Sequence, residues 1–195
     1  MTELYTWNPM PHRVAVTCPS CSKEATFEFA ERIQIRYRED ITYFQDSRHF
    51  DYEKATQGSV GLHHYAWYYH GLGRGQLELI DDLPTGYDPS FWDHSEYLYR
   101  GHGTNHGTVY CTSCDLRRKH VLNWPDDAYF SITYKESVLW AFNREMATEL
   151  AAFVESNDRD LEKFRYRSSF MKIPKLFLSA KARSHVVKKL GAMML

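Results

Sequence analysis

Two short motifs, Cys18-Pro-Ser-Cys21 and Cys111-Thr-Ser-Cys114, hold all four cysteines of this 195-residue chain. A thiolate is soft and anionic, and a two-residue spacer lets both sulfurs of a pair converge on one ion while the backbone turns. Two such turns complete a tetrahedral all-sulfur site, so the expected cofactor is Zn2+, held by Cys18, Cys21, Cys111 and Cys114. Four thiolates leave no coordination position for water or substrate, which makes the expected zinc structural rather than catalytic. Residues 22 to 110 separate the pairs, but each doubling of a loop adds only about 0.6 kcal/mol of closure cost, so the distance in sequence is no obstacle. Separate sites compete with this reading, because His102 and His106 precede Cys111 and His12 lies near Cys18. A redox reading of Cys18-Pro-Ser-Cys21 is weaker. Redox chemistry wants the first cysteine at a helix N-terminus, which lowers its pKa, and here the strand-like run ATFEF follows.

Other donors are scattered. His63, His64 and His70 sit in an aromatic run where stacking and hydrogen bonding are the commoner fates of histidine. Gly71-Leu-Gly73-Arg-Gly75 lacks the Lys-Ser/Thr ending of a phosphate loop and reads as a turn. No GxSxG or HExxH motif occurs, so the chain leans towards a non-enzymatic role. The enzymatic alternative is a metal-dependent nuclease or hydrolase using His63, His64, His102 or His106 with a second ion.

The elements that must position the cysteines are β-hairpins. Val14 to Thr17 leads into the first pair and Ala25 to Phe29 leaves it, with Phe27 and Phe29 on one face. HGTVY enters the second pair and LRRKHVLNW leaves it. These hairpins resemble the zinc ribbon class, in which two cysteine knuckles share one metal. The matching segments are TCPSCSKEATFEF and VYCTSCDLRRKHVLNW. A zinc ribbon usually leaves about 15 to 20 residues between its pairs, so residues 30–105 become a β-rich insertion. The cysteine pairs, with Asn105, His106, His120 and Trp92-Asp93-His94, also invite comparison with zinc-bearing HNH nucleases. The arrangement as a whole is similar to uncharacterised bacterial proteins of about this length.

Further along, alternation of Ile33, Ile35 and Tyr37 and the β-formers in Ile41 to Phe50 predict strands. Asp88-Pro89 suits the opening of a short helix. AYFSITY and VLWAF predict a hairpin. Asn143 is a good N-cap for a helix over 144–156, with Ala147, Leu150, Ala151 and Val154 on one stripe. A second helix is expected from Asp158 to about Phe170, and a third after Ser179 with Ala182, Val186, Leu190 and Met193 inward. The expected class is α+β, with a zinc-clasped β-rich body over 1–142 and a basic helical part over 143–195 packed on it.

Charge is uneven. Residues 1–110 hold 9 Lys and Arg against 15 Asp and Glu, and residues 111–195 hold 15 against 10. A basic tail attracts polyanions or docks on acidic surface. The expected contacts are Arg117, Arg118, Lys119, Lys181, Lys188 and Lys189, and the expected partner is nucleic acid or another protein. An alternative is a structural subunit of a larger assembly. No apolar run of membrane-spanning length and no signal-peptide pattern occurs, so a cytoplasmic location without membrane contact is expected. Oligomeric state is not legible.

Overall fold

The computed structural model describes residues 10–56, 61–73, 80, 82–87 and 105–194. The helix expected at Asp88-Pro89, together with Trp92-Asp93-His94 and His102, lies outside them. The architecture is mixed α and β, with antiparallel sheets and four α-helices among the described residues. The chain divides into two units. One comprises residues 1–10, 14–26 and 123–195, and the other residues 11–13 and 27–122.

In the second unit, β3 (Glu31–Gln34), β4 (Phe50–Thr56) and β5 (Leu62–Tyr68) form a sheet of order β3-β5-β4. Both pairings are antiparallel, with Ile33 and Tyr52 each opposite Ala66. Ile33, Phe50, Ala66 and Tyr68 enclose a core with Ile35, Phe44, Ile80 and Tyr87. Ile33 and Ile35 are buried as their alternation predicts, whereas Tyr37 is 54% exposed. The segment from Ile41 is not a strand. It forms helix α1 (Ile41–Asp46), because folding Phe44 onto the sheet buries more apolar surface than its local β-propensity is worth.

A further sheet has the order β1-β2-β6-β7, with β1 Arg13–Thr17, β2 Glu24–Phe29, β6 His106–Tyr110 and β7 Arg117–Val121. The Phe29 N–H donates to the His12 carbonyl (3.1 Å) and the Ala30 N–H to the His106 carbonyl (2.9 Å). Phe27 and Phe29 are fully buried, edge to face at 4.8 Å. Gly107 has to be glycine: a Cβ there would meet the Phe27 ring and the Glu28 carbonyl at 2.3 Å.

In the first unit, β8 (Ser131–Tyr134) and β9 (Ser137–Trp140) form the expected hairpin, with Ser131 opposite Trp140. Helix α2 (Arg144–Glu155) begins at Asn143, whose side chain accepts from the Met146 N–H at 2.8 Å. Met146, Ala147, Leu150, Phe153 and Val154 are its buried face. Helix α4 (Ala180–Met194) packs on it, with Ala182, Val186 and Leu190 buried. The helix expected from Asp158 to Phe170 is broken. Arg159 adopts φ +47, a 3-10 turn spans Leu161–Lys163, and Phe164 is extended before α3 (Arg167–Phe170). The break turns Phe164 against Phe153 and Phe170 at 5.3 and 5.7 Å, aromatic contacts that outweigh continuous helix.

Candidate metal centre

Each cysteine pair sits on a turn of the same construction. The Cys18 N–H donates to the Lys23 carbonyl (2.8 Å), and the Cys111 N–H donates to the Leu116 carbonyl (2.9 Å), each five residues on. Four residues past the first cysteine the backbone turns left-handed, at Ser22 (φ 61) and Asp115 (φ 55). Such a turn curls the chain around its two sulfurs, which is the shape a metal knuckle requires. The Ser20 N–H also points at Cys18 Sγ (3.4 Å), a contact that stabilises a thiolate over a thiol.

One sulfur from each of Cys18, Cys21, Cys111 and Cys114 lies within 4.8 Å of every other, and no disulfide joins them. A tetrahedral Zn2+ with Zn–S bonds of about 2.3 Å sets its sulfurs about 3.8 Å apart, inside that limit. The four cysteines are therefore arranged closely enough to coordinate one metal ion. Cys18 and Cys111 are buried, Cys21 is half-buried and Cys114 is exposed.

The basic residues after the second knuckle are divided by strand alternation. Arg117 Nη1 donates to the Gly71 carbonyl (2.5 Å), and its guanidinium lies 5.5 Å from the Tyr110 ring centre. Lys119 pairs with Asp51 and stands 5.0 Å over the Tyr69 ring. Both are thus engaged within the chain. Arg118 is exposed and makes no ion pair among the described residues.

On α4, Lys181, Lys188 and Lys189 are exposed and likewise without an ion pair among those residues. Other cations of the tail are matched internally: Arg165 with Glu145 (2.7 Å), Arg167 with Glu162 (2.5 Å) and Lys163 with Asp158 (2.9 Å).

Among the described residues, the sequence-derived candidates His63, His64 and His106 form no metal-binding group, and His102 lies outside those residues. His64 bonds to the Tyr52 hydroxyl, His63 Nδ1 to Gln34 (3.1 Å), and His106 lies tilted against the Trp67 ring, centroids 4.8 Å apart. Other residues do converge. His12, Glu31 and His70 each offer one donor atom within 4.8 Å of the others. The sequence places His12 near Cys18 and His70 in the same aromatic run as His63 and His64. It carries no signal for Glu31, because only the pairing of β3 with β5, with Glu31 opposite Tyr68, brings Glu31 near the end of β5.

Neighbouring Glu28, 4% exposed, accepts from Arg13 Nε (2.8 Å) and lies 3.5 Å from His12 Nε2. Burial pushes its carboxyl pKa up, but the His12 and Arg13 contacts outweigh this and hold it below the usual carboxylate range.

No helix among the described residues is long and apolar enough to cross a membrane. Comparison with protein-family models, curated proteins and solved structures finds no match.

Proposed function

We propose that this chain is a zinc-binding interaction module. Cys18, Cys21, Cys111 and Cys114 hold one structural Zn2+ in the manner of a zinc ribbon, and a basic surface contacts nucleic acid. The observation that carries the reading is the convergence of four sulfurs from two identically built turns. The ion fixes the knuckles and takes no part in chemistry, since all four positions around it are filled. What supports this partner is α4, a helix without a single acidic residue whose exposed cations Lys181, Lys188 and Lys189 lack internal counter-charges among the described residues. Such a face is drawn to a polyanion and releases its counterions on binding.

Two measurements test this. A thiol-specific mercurial added to purified protein is expected to release one zinc per four thiols titrated. Release of none removes the zinc. Affinity for DNA and RNA is expected to fall steeply with salt, and K181E/K188E/K189E to weaken it about tenfold or more. No binding at low salt, or binding indifferent to salt, removes the nucleic-acid partner and leaves a protein partner as the surviving branch.

A further inference from the structure

Three places in the sequence supply the His12, Glu31 and His70 cluster: the residue before β1, the first residue of β3, and the 3-10 turn His70–Leu72 that follows β5. Glu31 is 2% exposed, and His70 Nε2 lies 3.1 Å from its Oε1. The His12 and His70 rings meet edge to face, centroids 5.7 Å apart. Around a first-row transition ion, nitrogen and oxygen donors bind at about 2.0–2.2 Å and so stand roughly 3–3.5 Å from one another. The His70 to Glu31 distance is already of that size. Two imidazoles and one carboxylate are also the donor set of metal sites that keep open positions, in contrast to the closed four-sulfur set.

The surroundings have the parts such a centre needs. Glu28 faces His12 and is itself held by Arg13, the arrangement by which a carboxylate orients a ligating imidazole. Gly71, next to His70, has no room for a side chain: a Cβ would lie 2.8 Å from the Thr108 Cβ and 3.3 Å from Glu28 Oε2. Thr108 is fully buried, and its hydroxyl finds no hydrogen-bond partner among the described residues. A buried hydroxyl without a partner is costly, and metal-bound water beside it would supply one.

We propose that His12, Glu31 and His70 form a second metal centre, for a divalent first-row transition ion, with coordination positions left open to water. This centre shares no ligand with the cysteine site, so either one stands if the other fails.

The full-length protein, dialysed against a chelator too dilute to strip thiolate-bound metal, would be titrated with Co2+. The expected result is one further equivalent per chain, with weak d–d absorption and no thiolate-to-cobalt charge-transfer band. H12A and H70A are expected to lower Co2+ affinity on the order of 100-fold, and E31Q, which keeps the shape of the buried side chain, about tenfold. H64A, outside the cluster, leaves it unchanged. Circular dichroism and a cooperative thermal melt confirm that each variant is folded, and E31Q carries the test where a histidine variant is not. Absence of the further equivalent in the unaltered protein, or undiminished affinity in a folded ligand variant, overturns the proposal and leaves a plain His–Glu hydrogen-bond network.

Discussion

Single residues carry the sharpest expectations. Cys111→Ser removes a buried sulfur from the four-sulfur group and is expected to abolish stoichiometric zinc and lower the melting temperature. The loss amounts to several kcal/mol, since structural zinc binding is worth about 10–16 kcal/mol of folding free energy in small metal domains. Zinc analysis alongside calorimetry checks it, and full zinc in the folded variant contradicts it. Gly107→Ala forces a methyl into the Phe27 ring and the Glu28 carbonyl, so a cost of about 2 kcal/mol or more is expected from denaturant unfolding.

Tyr43 gives a pH dependence. Its pKa is pushed up to about 12, first by burial and then by Asp82, to which its hydroxyl donates at 3.2 Å. The native state therefore keeps a proton that the unfolded chain loses near pH 10. The contribution is intact below that pH and is lost as pH rises towards 12. Tyr43→Phe is expected to flatten this alkaline decline in an unfolding series, and an unchanged slope contradicts the assignment.

At the scale of elements, local signals were read well where they were unopposed. Asn143 caps α2 as its type and position predict, and the stripe of Ala147, Leu150 and Val154 faces inward. Asn143→Ala is expected to cost about 1 kcal/mol in a chemical melt, because the Met146 N–H loses its acceptor. Propensity loses where packing opposes it. Ile41 to Asp46 is rich in β-formers yet coils to bury Phe44. The 158–170 segment has helical spacing yet breaks so that Phe164 reaches Phe153. Each also packs on a ring outside its own segment, Phe44 on Tyr87 and Phe164 on Phe153, and a window confined to the segment does not contain that contact.

For the molecule as a whole, the cysteine site was legible because each knuckle is a local motif with its chemistry in four consecutive residues. The His12, Glu31 and His70 cluster was not. Its members are ordinary polar residues until β3 pairs with β5, and composition carries no trace of that pairing. Charge was legible only in part. The basic tail announced itself in the sequence, but which cations were already matched, such as Arg165 by Glu145, depended on tertiary geometry.

The two turns are alike in backbone but unequal in exposure, and that inequality has a consequence for oxidants and electrophiles. Cys18 and Cys111 are shielded, whereas Cys114 faces solvent. Attack by peroxide or iodoacetamide should begin at Cys114 and reach the shielded pair last. Mass spectrometry of briefly alkylated protein would then read out a graded order of labelling, from Cys114 through Cys21 to the two interior sulfurs.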